Sequence, residues 1–218
     1  LKYRKNHCIN LDGFYTVTTP SDVYTEYTKK YGGPQSLYPV VDTPIGRLGA
    51  FICYDMMFPE VARYLALQGA EVMIQVSDEE QNSNPLYHSV KQVRALENVA
   101  YLISANPGGY TPDSRMAVDS ARGESMIINY DGTILRKAGL GEVTIHGPID
   151  IEALRKRRRA VHPYNFLSHL KTATIAPIYQ SVECCPVDLW ASKPMEDTKE
   201  GLEQHKNIAK KLTEKNIY

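Results

Sequence analysis

Hydrophobic positions follow two periods along the first two-thirds of the chain. From about residue 36 to 101, short β-branched or apolar runs alternate with longer stretches of helical spacing, the pattern of an α/β layer. Leu48-Gly49-Ala50-Phe51-Ile52 reads as a buried strand that ends at Cys53. Pro59 then stands where a helix begins, with Val61, Ala62, Leu65 and Ala66 on one face and Gly69 as its stop. The local prediction is a strand, a tight elbow and a helix. Val72-Met73-Ile74-Gln75-Val76 predicts a second strand, followed by a polar loop over 77–84. A second helix is predicted from Pro85, with Leu86, Val90, Val93 and Leu96 as its apolar face and Lys91, Arg94 and Glu97 elsewhere on its surface.

Tyr101-Leu102-Ile103-Ser104-Ala105 reads as a third strand ending at Asn106. After a Gly/Pro/Asp-rich loop, Ser125-Met126-Ile127-Ile128 and Thr133-Ile134-Leu135 flank Asp131-Gly132, a strong hairpin signal. Residues 142–149 alternate as a further strand, and Ile151-Glu152-Ala153-Leu154 resumes helical spacing. Thr19 to Tyr27 is helix-like, with Ser21 as its expected cap. Periodicity weakens from about His162, and 198–215 reads as a charged amphipathic helix or a loose tail.

Composition narrows the function classes. The 218 residues are 43% hydrophobic, enough for one sizeable core. Lys and Arg number 25 against 25 Asp and Glu, so the global balance steers the chain to neither nucleic acid nor an anionic membrane. No apolar run reaches membrane-spanning length and no secretory leader is recognisable, so the expected address is cytoplasmic. The cysteines at 8, 53, 184 and 185 form no CxxC pair and no Cys/His cluster of zinc-binding spacing, so neither a metal, a cofactor nor a disulfide framework is expected.

Cys53 is the most informative residue. A thiol at the end of a buried strand, just ahead of a helix, sits where backbone N–H groups and the helix dipole stabilise negative charge on sulfur. Glu60 and Arg63 are three apart on the helix after the elbow and are expected to pair locally. Arg155-Lys156-Arg157-Arg158-Arg159 reads as a solvated basic run complementing a helix C-terminus. His162-Pro163-Tyr164-Asn165 invites a papain-like Cys-His-Asn arrangement, but no papain signature surrounds Cys53.

Gly46-Arg47-Leu48-Gly49-Ala50-Phe51-Ile52-Cys53-Tyr54-Asp55-Met56-Met57-Phe58-Pro59-Glu60 resembles the nucleophile segment of the nitrilase superfamily of carbon–nitrogen hydrolases. Arg94-Ala95-Leu96-Glu97-Asn98, Asn106, Gly123-Glu124-Ser125-Met126-Ile127-Ile128 and Asp131-Gly132 resemble further motifs of that family in the same order. Tyr3-Arg4-Lys5-Asn6-His7 looks like its lysine motif. The resemblance covers about residues 2 to 180. It implies the four-layer α-β-β-α sandwich and a homodimer or higher homo-oligomer. A family domain over 1–180 and a C-terminal extension over 181–218 are the expected organisation.

The resemblance also implies a Glu-Lys-Cys triad, with Cys53 as nucleophile and Lys5 and the Tyr54 backbone N–H as oxyanion partners. Counting back from Gly33 places a second, lysine-orienting glutamate on Glu26. The family's general-base glutamate lies upstream of the lysine, and nothing precedes Leu1, so the chain is expected to be N-terminally truncated. Ser77 and Asp78 are expected to bind substrate, with the acidic Asp78, Glu79 and Glu80 favouring a polar or cationic one. The expected substrate is a small amide. The alternatives are an N-carbamoyl amino acid hydrolase, a nitrilase, or a base-less pseudoenzyme acting as an oligomeric scaffold.

Overall fold

The computed structural model describes residues 1–9, 18–80, 86–114, 116–182 and 184–217. Its strands are β1 (Val40–Thr43), β2 (Gly46–Ile52), β3 (Val72–Val76), β4 (Tyr101–Ala105), β5 (Met126–Ile128) and β6 (Ile134–Lys137). Its helices are α1 (Tyr24–Tyr31), α2 (Pro59–Leu67), α3 (Tyr87–Asn98), α4 (Ile151–Arg159), α5 (Thr172–Ser181) and α6 (Thr198–Glu214). They fall into two compact units, residues 1–3 with 38–169 and residues 4–37 with 170–218. The start of the second predicted helix at Pro85, and 81–84 of the polar loop, lie outside the described residues.

In the first unit the six strands form one mixed sheet in the order β1 to β6. The central strands β2, β3 and β4 run parallel, and β1, β5 and β6 join antiparallel. Parallel strands are covered on both faces and so read as near-continuous apolar runs. One face takes Phe51, Met73, Leu102, Met126 and Ile128 and packs against Val61, Ala62, Leu65 and Ala66 of α2 and Ala95 of α3. Gly49 lets α2 approach, because a Cβ there would stand 3.0 Å from a Leu65 methyl. Gly69, at φ +93, ends the helix as expected. The other face holds Val72 and Tyr101 against Leu154 of α4, Ile149 and Ile151. The α/β class and the elbow both stand as predicted.

In this unit the elements and their solvent faces depart from expectation at three places. Residues 142–149 form no strand; the segment crosses over β5 and β6, where Gly147 abuts the side chains of Ile127 and Arg136, instead of pairing along an edge. The apolar face predicted for α3 holds only in part: Val90 packs against the core and Leu96 is half-buried, but Leu86 at 62% and Val93 at 44% are exposed, while Lys91, Arg94, Ala95 and Asn98 are buried. Those polar side chains go inward because each finds a partner there, which apolar periodicity does not register. The basic run is only partly solvated. Arg158 Nε donates to the Val99 carbonyl at 2.8 Å and Nη2 to the Ala70 carbonyl at 2.6 Å, and burial pushes its guanidinium down to about 10.

Glu71 fastens α4 to the sheet. Its carboxylate accepts from Arg155 Nε at 2.6 Å, Arg155 Nη2 at 3.1 Å and the Arg47 backbone N–H at 2.9 Å. The Arg155 hydrogen bonds hold the carboxyl below its ordinary 4.5, against the opposing effect of burial. A depressed carboxyl stabilises the fold above its ordinary value, and that contribution is lost as the pH falls through the folded one. Glu71→Gln is therefore expected to lower the unfolding midpoint at neutral pH and to flatten its decline below 4.5. Thermal scans across that range read the change, and an unaltered acid limb would contradict it.

The second unit contains α1, α5 and α6. The expected cap at Ser21 is replaced by Thr19 and Asp22: Asp22 Oδ2 accepts from Thr19 N at 2.7 Å and Thr19 Oγ1 at 2.8 Å. A short 3-10 turn, Pro20–Val23, then leads into α1. Asp188, at φ 61, reaches the start of α1 from the C-terminal segment. Its carboxylate accepts from Thr25 N at 2.9 Å and Thr25 Oγ1 at 2.5 Å, and its own N–H donates to the Ser21 carbonyl at 2.9 Å. The Thr25 hydroxyl hydrogen bond holds the Asp188 carboxyl below its ordinary value. Asp197 caps α6 by accepting from Lys199 N and Glu200 N.

Candidate active site

Ile52, Val76 and Ala105 are aligned across β2, β3 and β4. The next residues are Cys53, Ser77 and Asn106, so a thiol, a hydroxyl and an amide stand at the carboxyl ends of three neighbouring parallel strands, roughly 4.8 Å apart per strand. Carboxyl ends of parallel strands are where α/β sheets bind ligands. Cys53 adopts φ 52 and opens a 3-10 turn, Cys53–Met57, that runs into α2. A left-handed conformation costs a residue with a Cβ roughly 1–2 kcal/mol. Such strain persists only where the surroundings enforce it, and it gathers at functional positions. Cys53 is half-buried and in no disulfide.

The surroundings enforce it through buried polar groups. Asp55, fully buried, accepts from Ile52 N at 3.1 Å and Tyr3 Oη at 2.9 Å. Arg94 reaches up from α3: Nε donates to the Met56 carbonyl at 2.9 Å, Nη2 to the Met57 carbonyl at 3.3 Å, and Nη1 to Glu97 at 3.0 Å. Arg63 of α2 donates from Nη1 to the Glu97 carbonyl at 2.6 Å, so α2 and α3 are tied together under the elbow. Gln75 sits beneath, accepting from Ser104 Oγ at 2.5 Å and facing Met56 Sδ at 3.8 Å. Tyr54 stacks edge-on against Phe58, ring centres 5.3 Å apart.

Ser77 to Glu80 form one rim of the site. The Ser77 Oγ atom is buried and finds no hydrogen-bond partner among the described residues. Asp78 accepts from the Tyr110 hydroxyl. Glu79 does not offer a substrate the free negative charge expected of it together with Asp78 and Glu80. Its carboxylate is buried against the Lys91 ammonium, leaving Asp78 and Glu80 as the rim's outward charges. Its N–H donates to Asn106 Oδ1 at 2.7 Å, and its carbonyl accepts from Arg122 N at 2.8 Å and Asn106 Nδ2 at 3.1 Å. Tyr87, the first residue of α3, faces this ground, with the Arg122 guanidinium 6.0 Å from its ring centre. Burial, followed by the nearby charges of Cys53, Glu79 and Tyr54, pushes the Tyr87 hydroxyl above its ordinary value. Glu124, at φ 54, bridges His88 Nε2 at 2.9 Å and Lys137 Nζ at 2.6 Å.

Cys53, Tyr54, Ser77 and Asp78 thus occur in one unit. Lys5 and Glu26 occur in the other. Lys5 is half-buried, next to Asn6, whose Nδ2 donates to the Leu37 carbonyl at 3.1 Å; Glu26 is exposed in the first turn of α1. Sequence reasoning overlooked Tyr87, Lys91 and Arg122. The available signal was polar: Lys91, Arg94 and Asn98 recur at helical spacing, a stripe that marks a second inward face. Among the described residues no cluster of three His, Cys, Asp or Glu side chains could hold a metal ion. A groove lined by Leu96, Tyr130, Asp131, Arg157 and Tyr164 lies at the other end of α3.

Residues 1–159 match the family model for carbon-nitrogen hydrolases. Omega-amidase NIT3 of Saccharomyces cerevisiae is 31% identical over 161 residues, which cover 73% of this chain and 52% of the yeast protein. Omega-amidase NIT2 of Homo sapiens is 29% identical over 161 residues, covering 73% of this chain and 54% of the human one. The crystal structure of a carbon-nitrogen hydrolase from Helicobacter pylori G27 superimposes with a TM-score of 0.60 at 28% identity, covering 81% of this chain and 59% of that one. The chain spans about half the length of the curated relatives it matches.

Proposed function

Because the chain belongs to the carbon-nitrogen hydrolase family, we propose that it hydrolyses the carbon–nitrogen bond of a small amide through a thioester on Cys53. The Cys53 sulfur attacks the carbonyl carbon, and the tetrahedral oxyanion is held by the Tyr54 backbone N–H and the Lys5 ammonium. The C–N bond then breaks, the nitrogen leaves with a proton as ammonia or an amine, and water cleaves the thioester to a carboxylic acid and the thiol. Glu26 orients Lys5. Ser77 and Asp78 contact the substrate. The chain spans about half the length of its curated relatives, so the reading applies to the whole protein.

The observation that carries this reading is the left-handed Cys53 at the carboxyl end of β2, enforced by Asp55 and Arg94. The yeast and human relatives, both named omega-amidases, favour an amide over a nitrile or an N-carbamoyl amino acid. A homo-oligomer in the cytoplasm belongs to the same proposal.

The experiment is an ammonia-release assay on small primary amides, N-carbamoyl amino acids and nitriles, with mass spectrometry of the quenched enzyme. Release from amides, with the acyl mass on the Cys53 peptide, is the expected result. Release from nitriles alone, or no acyl adduct during turnover, would overturn it.

A further inference from the structure

Lys91 and Glu79 form an ion pair that is almost wholly shielded from water, their side chains 1% and 2% exposed. Lys91 Nζ stands 2.8 Å from Glu79 Oε1 and 2.9 Å from Oε2. Burial holds the ammonium below its ordinary value, against the pull of the carboxylate. A pair so placed adds little net stability over apolar side chains of similar volume, because lost hydration offsets the attraction. What it does supply is geometry. An ammonium centred between two carboxylate oxygens fixes the position of the carboxyl group, whereas an apolar pair can slide.

The pair's place in the fold gives that geometry a use. Glu79 lies two residues beyond Ser77, and its main chain is the hub through which Asn106 and Arg122 hold the rim. Lys91 lies one helical turn from Tyr87 on the same face of α3, and the Tyr87 hydroxyl senses both Cys53 and Glu79. One turn further on, Arg94 holds the elbow itself. A single helix therefore grips the nucleophile turn with one side chain and the rim with another.

We infer that the buried Lys91–Glu79 pair positions the 77–80 rim and the adjoining 121–123 segment against the Cys53 elbow, and thereby sets how well the amide is captured; the second half rests on the hydrolase reading above. Lys91→Met combined with Glu79→Leu, made in the intact protein, removes both charges without orphaning either. The expected result is an unfolding midpoint close to the parent's, faster amide hydrogen exchange at 77–80 and 121–123, and a KM raised about tenfold with kcat within about threefold. A folded double variant with parental exchange and parental KM overturns the inference. Lys91→Arg keeps the charge and covers the case in which the double variant fails to fold. It is expected to raise KM about threefold with the same exchange signature, and unchanged values there overturn the inference equally. If the parent hydrolyses no amide, the hydrolase reading fails by itself, and the exchange comparison alone decides whether the pair anchors the rim.

Discussion

Cys53→Ala is expected to lower ammonia release from the preferred amide by about 10⁴-fold or more, as loss of a covalent nucleophile does elsewhere. Stability should barely change. The thiol is only half-buried and alanine adopts the same left-handed turn at a similar cost, so little burial is lost with the sulfur. Cys53→Gly separates the two roles more sharply, because glycine takes φ 52 without the steric penalty. That variant should be equally inactive while its unfolding free energy stays within about 1 kcal/mol of the parent, relief of strain being offset by the more flexible unfolded chain. Steady-state rates and urea unfolding read both. Substantial residual turnover in either variant would place the nucleophile elsewhere.

Arg94→Ala carries the second large effect, and here the loss falls on the fold. The side chain is buried and serves the Met56 carbonyl, the Met57 carbonyl and the Glu97 carboxylate together. Truncating it leaves the Met56 and Met57 carbonyls without this donor, while Glu97, a quarter exposed, keeps Arg63 beside it, and each acceptor so orphaned costs about 1–3 kcal/mol. The elbow would also lose the grip that enforces the left-handed cysteine, so activity should fall further than the unfolded fraction explains. Arg94→Lys is expected to recover part of the stability and little of the rate. One ammonium cannot span three acceptors arranged for a planar fork. Urea unfolding, with activity measured well below each variant's midpoint, distinguishes the two contributions. A fully stable Arg94→Ala would refute the account of the elbow given above.

Much of the first unit was legible because its signals are local. Cys53 ahead of Pro59, Gly69 after an apolar helix face, and Asp131-Gly132 between two apolar runs each specify a backbone feature over a few residues. What the sequence concealed depends on partners far along the chain. Lys91 goes inward because Glu79 meets it, and Arg158 because the carbonyls of Ala70 and Val99 do. An apolar-period rule assigns all such residues to solvent, which is why the polar part of α3's inward face goes unseen. Residues 142–149 alternate like a strand, but alternation guarantees an extended backbone and not a neighbour to pair with. The acidic loop misled for the same reason: charge was counted at Glu79 where a buried countercharge cancels it. For the candidate site, the proposed nucleophile could be picked out from its neighbours in sequence, whereas the groups that shape its rim could not.

Asp188 has a consequence for anyone exchanging segments between relatives. The N–H and hydroxyl of Thr25 are satisfied by a carboxylate supplied from 163 residues away. The C-terminal stretch is therefore not a cassette that can be grafted or discarded independently. A chimera that takes 170–218 from another protein would have to bring 19–25 with it, or the first turn of α1, which carries Glu26, would be left with donors facing water alone.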